Sequence, residues 1–255
     1  MKTGLSDLLK YIRLDLCIFS TFIASSGYLL NNPLSNKLFF VILSSFFLCA
    51  GAYSYNNQKD KEEDLVNRKK SNPYTEISFG KIITLVVFLF GFISCFFLSY
   101  FSVMFYIVAT ITSLIYSKFK MKKYLLVKNI YTGFGVTQVF LIGAANSSIT
   151  TQIIIYYVVL SVFIMIESII SDLRDYKGDK KMNIRTLPVC FGYDYTKKML
   201  LSVLVSYALF VFFLKLFVLV PFIILMSLYL YKNRVCAAHF VGSLSFLFLM
   251  GWLLI

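Results

Sequence analysis

Apolar runs of roughly 20 residues recur along this chain from Leu14 onward, separated by short polar punctuation. A bilayer's hydrocarbon core is about 30 Å thick, the length of about 20 helical residues, so such runs read as membrane spans. In hydrocarbon the backbone has to satisfy its own N–H and C=O groups, which makes helices the structure for these runs. Composition agrees: 59% of the residues are hydrophobic and only 15% charged, against about 25% charged in a soluble domain. A soluble enzyme, a disordered chain and a disulfide-stapled secreted domain are excluded.

Hydropathy predicts nine spans: Arg13–Leu30, Lys37–Tyr55, Lys81–Tyr100, Ser102–Tyr116, Lys128–Ala145, Gln152–Ser171, Lys198–Phe217, Val218–Tyr231 and Val235–Ile255. The expected fold is all-α, one polytopic transmembrane domain over residues 1–255. The first run is too long for a cleavable signal peptide and lacks a small-residue cleavage site. Lys and Arg number 25 against 12 Asp and Glu, a net +13. With the N-terminus in the cytoplasm, every Lys and Arg except Lys37 and Lys215 falls on the cytoplasmic side, and the C-terminus lies outside. The excess charge is therefore mostly topological in a cell-membrane protein surrounded by lipid. No aromatic-plus-basic module points to nucleic acid. The five cysteines are scattered without a CxxC pair, and the single histidine, His239, lies in the last run, so these read as packing residues.

Two cytoplasmic segments, Asn56–Gly80 and Asp172–Lys197, are dense in both signs of charge. One follows span two and the other follows span six, so the chain reads as two four-helix halves plus a ninth helix. Asn56, Asp60 and Asp64 are spaced i, i+4, i+8; Asp172, Asp175 and Asp179 are spaced i, i+3, i+7. Either spacing sets its members along one helical face. Glu62 and Glu63 sit off that face and read as solvated charges. Carboxylates of this kind suit Mg²⁺, which binds one or two of them together with substrate phosphates. Lysines and arginines nearby add to the field that holds an anion. Two acidic faces across a cavity would then take a metal-bridged diphosphate.

These residues resemble the UbiA superfamily of intramembrane prenyltransferases. Its first motif, NDxxDxxxD, is similar to Asn56-Asn57-Gln58-Lys59-Asp60-Lys61-Glu62-Glu63-Asp64. Its second, DxxDxxxD followed by a basic stretch and TLPV, is similar to the stretch from Asp172 to Gly192, which reads DLRDYKGDKKMNIRTLPVCFG. Weaker likenesses cover Arg13 and Gly27 in span one and Tyr116-Ser117-Lys118-Phe119-Lys120 after span four, where the family carries a diphosphate-binding lysine. Two departures stand out. Asn57 occupies the position of a family Asp, and the arginine that the family carries near Pro73 is missing, so its role passes to Arg68, Lys69 or Lys70.

The resemblance implies Mg²⁺-assisted ionisation of a prenyl diphosphate donor. Asp60, Asp64, Asp175 and Asp179 would hold the metal, with Asn56 and Asp172 as further ligands or orienters. Lys120, with Lys118, Arg68, Arg174 and Arg13, would neutralise the departing diphosphate. Its second motif looks most like the archaeal branch that prenylates geranylgeranylglyceryl phosphate in ether-lipid synthesis. An aromatic quinone precursor is the alternative lipophilic acceptor. A cation-coupled transporter or lipid carrier is the non-enzymatic alternative. Glu167 in span six reads as a polar contact near the cytoplasmic end, with membership of the site as the alternative, and Asp15 reads as an ion-pair partner of Arg13.

Overall fold

Residues 4–66 and 72–252 are described by a computed structural model of the protein, except for the side chains of residues 62–66, 246, 247, 250 and 252. Among the described residues every regular element is helical. Five helices are long and apolar enough to cross a membrane, and the helices Leu14–Leu29, Leu219–Tyr231 and Val235–Ser245 are shorter and apolar.

A short helix α1 (Leu5–Tyr11) precedes α2 (Leu14–Leu29), and Arg13 turns the chain between them with φ 55°. Helix α3 (Lys37–Val66) is 30 residues long, about 45 Å at 1.5 Å per residue. That exceeds the hydrocarbon core, so its polar end, Asn56–Asp64, continues the span as helix beyond the apolar layer. Helices α4 (Ser78–Cys95) and α5 (Tyr100–Lys118) follow, joined by a tight turn capped by the Ser99 side chain on the Ser102 N–H.

The predicted span Lys128–Ala145 is not one helix. It divides into α6 (Val127–Ile130), a π-helical turn over Tyr131–Gly135, and α7 (Gln138–Ala144). Gly133 and Gly135 weaken the helix there, and Gly133 lies so close to the Ser161 carbonyl and Met165 that a Cβ would collide with both. Helix α8 (Thr151–Lys181) is 31 residues long and carries Asp172–Asp179 as an unbroken extension of its span. The second charged segment is therefore largely helical rather than a loop. After it, α9 (Leu187–Phe191) begins with Pro188 in its first turn. Gly192, at φ 92°, breaks to α10 (Tyr193–Phe213), which starts five residues before the predicted span. Helices α11 (Leu219–Tyr231) and α12 (Val235–Trp252) complete the described chain.

The chain divides into two compact units, Met1–Met121 with Gly135–Tyr157, and Lys122–Phe134 with Val158–Ile255. In the first, α3 packs on α2 and α4, and α7 packs on α2 and α5. A Cβ at Gly27 would strike the Phe140 carbonyl, and one at Gly143 would strike the Ala24 carbonyl. Reciprocal glycines of this kind let two membrane helices touch backbone to backbone. This contact draws α7 to the first unit, so the division differs from the expected halves, which assigned the whole segment 128–145 to the second. In the second unit α10, α11 and α12 pack in chain order, and the Tyr207 hydroxyl donates to the Val159 carbonyl at 2.9 Å, tying α10 to α8.

Candidate active site

In the first unit the acidic end of α3 is held by amides and hydroxyls. Asn56 Nδ2 donates to Asp60 Oδ2 at 2.9 Å, and its Oδ1 accepts from the Ser117 hydroxyl at 3.2 Å. Ser117 is buried at the end of α5, immediately before Lys118. The basic stretch through Lys120 is thereby fastened beside the first acidic motif. Lys118 Nζ lies 5.6 Å from the Phe119 ring centroid, and Lys120 has φ 49° just past the helix end. The Asp64 side chain and all of Arg68 lie outside the described residues.

The Asn57 departure has a structural reason. Its Nδ2 donates to the Tyr11 carbonyl at 2.7 Å, where α1 ends. Gln58 Nε2 reaches the Tyr11 hydroxyl at 2.5 Å and Thr84 Oγ1 at 2.8 Å, and the buried Thr84 hydroxyl donates to Ser54 at 2.9 Å. A carboxylate at position 57 has no donor for that carbonyl, whereas an amide has. Arg13, at the same junction, contacts Asp15 at 3.4 Å and stands 5.5 Å from the Tyr53 ring centroid. The predicted Arg13–Asp15 pair is present.

In the second unit, Asp172 has no exposed surface. Its Oδ1 accepts from Lys128 Nζ at 2.5 Å and its Oδ2 from Asn129 Nδ2 at 2.9 Å. The same amide reaches the Ser168 hydroxyl at 3.0 Å, one turn earlier on α8. Both oxygens of this motif carboxylate are thus engaged by the start of α6. Lys128 and Asn129 were not among the site residues read from sequence, because a lysine at the edge of an apolar run looks like any other loop charge. Arg174 grips Asp175 with two hydrogen bonds, Nε to Oδ1 at 2.9 Å and Nη2 to Oδ2 at 3.0 Å. Asp179 differs, because its Oδ2 is buried without a hydrogen-bond partner.

A buried carboxylate oxygen left open is costly unless a ligand fills it. Among the described residues no three carboxylate, imidazole or thiol groups are gathered for a metal ion. Mg²⁺ does not require three, since it takes one or two carboxylates and completes its shell with water and phosphate. Asp60 in the first unit, and the open oxygen of Asp179 in the second, are each a hard donor of the kind that ion takes.

Comparison with known proteins covers most of the chain. Residues 16–237 match the sequence model of the UbiA prenyltransferase family. Digeranylgeranylglyceryl phosphate synthase of Methanocaldococcus jannaschii is 26% identical over 198 residues, 74% of this chain and 68% of the relative. The same enzyme of Methanococcus vannielii is 26% identical over 193 residues, 72% of this chain and 68% of the relative. Among solved structures, a digeranylgeranylglyceryl phosphate synthase superposes with a TM-score of 0.73 at 22% identity, covering 98% of this chain and 95% of that one. A UbiA homologue of Archaeoglobus fulgidus bound to DMAPP and Mg²⁺ gives 0.70 at 17% identity, covering 97% and 99%. Both acidic helices and the basic end of α5 fall within the matched residues, and the chain belongs to the UbiA prenyltransferase family.

Proposed function

We propose that this protein transfers an isoprenyl group from a prenyl diphosphate to a lipophilic acceptor within the membrane, and that the acceptor is geranylgeranylglyceryl phosphate. The observation that carries the reading is that two membrane helices each run on, unbroken, into a family carboxylate motif. The open Asp179 oxygen supports it from the second motif, and the curated relatives favour the ether-lipid acceptor over an aromatic one. Family membership leaves the non-enzymatic carrier without support. We further propose nine spans, with the divided segment 127–144 as the fifth, and a cytoplasmic N-terminus and motif face.

In each unit a carboxylate pair would hold Mg²⁺, Asp60 with Asp64 in the first and Asp175 with Asp179 in the second. Bound there, the ion supplies a Lewis acid for the leaving diphosphate. The chain's own residues do the rest. Lys118 and Lys120 at the end of α5, with Arg68 and Arg13, offer cations to the diphosphate oxygens. Asn56 orients Asp60, to which it already donates. Asp172 serves as an orienter through Lys128 and Asn129, because its oxygens are occupied. Arg174 carries a planar fork that fits a diphosphate as well as it fits the Asp175 carboxylate. Its transfer to substrate would free Asp175 for the metal. Apolar helices around the motifs give the isoprenoid tail a place to lie out of water.

The test is direct. Purified protein in detergent, with Mg²⁺, labelled geranylgeranyl diphosphate and a panel of acceptors, releases diphosphate and labels geranylgeranylglyceryl phosphate. No labelled product with any acceptor, or labelling indifferent to EDTA and to Asp175→Ala, refutes the reading. Labelling of an aromatic acceptor alone replaces the acceptor and keeps the reaction.

A further inference from the structure

Beyond the acidic motifs, the second unit carries a carboxylate within the apolar length of α8. Glu167 on α8 is 9% exposed, and its Oε2 lies 2.5 Å from Nδ1 of His239 on α12. Its other oxygen, Oε1, is buried without a hydrogen-bond partner. Gly242, one turn beyond His239, makes room for the carboxylate: a Cβ there would collide with it. An ionisable pair within a membrane span is expensive to maintain and marks function rather than packing. The His239 side chain is 31% exposed, so this imidazole is not sealed among its neighbours. Along the α8 axis, Glu167 lies about 12 Å from Asp175, toward the middle of the span.

The geometry points to His239 as the base that removes the proton from a hydroxyl acceptor, with Glu167 as the positioning residue behind it. This rests on the prenyl-transfer reading and extends it to the acceptor. A carboxylate at Nδ1 fixes the ring proton on that nitrogen and leaves Nε2 as the free lone pair. In the reaction the allylic C1–O bond breaks and its electron pair leaves with the diphosphate. The acceptor oxygen supplies the pair for the new C–O bond, and its proton passes to Nε2. The Glu167 carboxylate then faces an imidazolium, the charge arrangement that a carboxylate-backed histidine base exploits. Oε1 remains an open acceptor for a hydroxyl or bound water of the incoming headgroup. The ligand class is thus an alcohol-bearing lipid, and a phenol would also suit the base.

His239 is the single histidine in the sequence, so it can be read chemically in the unaltered protein, purified without a histidine tag. Diethyl pyrocarbonate should carbethoxylate it, and geranylgeranylglyceryl phosphate should slow that reaction at least threefold. Glu167→Gln should slow it in the absence of any lipid, since the imidazole loses its anionic partner. His239→Ala should lower prenyl transfer about 100-fold or more, leave the affinity for prenyl diphosphate with Mg²⁺ within twofold, and regain part of its transfer on addition of free imidazole. A purely structural pair would give no imidazole rescue. Transfer by His239→Ala within threefold of wild type, absence of rescue in a folded variant, or carbethoxylation indifferent to acceptor overturns the assignment. Wild-type protein that transfers to no acceptor fails earlier and overturns the prenyl-transfer reading and this assignment together.

Discussion

Lys128 Nζ lies 2.5 Å from Oδ1 of Asp172, a carboxylate with no exposed surface, and the pair joins the start of the divided fifth segment to the acidic helix α8. The two partners are not equivalent. The lysine side chain is 32% exposed and can reach water, whereas the carboxylate cannot. Breaking a buried pair is most damaging when it strands the buried charge.

Lys128→Met should therefore destabilise the protein more than Asp172→Asn. The first strands the buried Asp172 carboxyl with one amide donor, at a cost of about 3 kcal/mol. The second keeps a hydrogen-bonding side chain against Asn129 and leaves a lysine that solvates itself, costing about 1 kcal/mol. Thermal unfolding in detergent measures the difference. Equal losses would mean that the carboxylate is less buried than described.

Asn57→Asp brings the first motif closer to the family pattern, yet it should weaken this protein. The Tyr11 carbonyl loses its donor from Nδ2, and a carboxylate is set against a carbonyl oxygen. Losing this partly buried hydrogen bond costs about 1 kcal/mol. The variant should melt earlier, with no gain in metal affinity, as measured by calorimetry with and without Mg²⁺.

How much of this was legible in the sequence differs from residue to residue. The acidic faces could be read because i, i+4 and i, i+3 spacings need only local helix geometry, and α3 and α8 are continuous through both motifs. The break in the fifth segment was hidden because hydropathy averages over Gly133 and Gly135, while the turn depends on contact with Ser161 and Met165 on another helix. The role of Asn57 depends on a carbonyl 46 residues away, and that of Glu167 on an imidazole 72 residues away. Composition and periodicity carry no information about such pairings. Lys128 was visible only as a charge, and its partner is what distinguishes it.

Glycine contacts on α2 and α7 give a matched comparison. Gly143→Ala drives a Cβ into the Ala24 backbone, whereas a Cβ at the exposed Gly178, between Asp175 and Asp179, meets nothing within 4 Å. Gly143→Ala should lower stability by about 1–3 kcal/mol through overpacking. Gly178→Ala should raise it by up to about 1 kcal/mol, the helix-propensity gain. Opposite shifts of melting temperature are the expected result.

Asp179 provides the test of metal binding that does not depend on turnover. A ligand that binds only the folded state stabilises it by RT ln(1 + [L]/Kd), about 2.7 kcal/mol at a hundredfold excess over Kd. Mg²⁺ with a non-hydrolysable prenyl diphosphate should therefore raise the melting temperature of the wild-type protein by several degrees. Asp179→Asn keeps the shape of the side chain and removes the charge from its open, buried oxygen, so most of that increment should vanish. Loss of the increment on adding EDTA to wild type, with no further effect of EDTA on the variant, would assign the stabilisation to a metal held by this carboxylate. An increment of equal size in both proteins would move the ion away from Asp179.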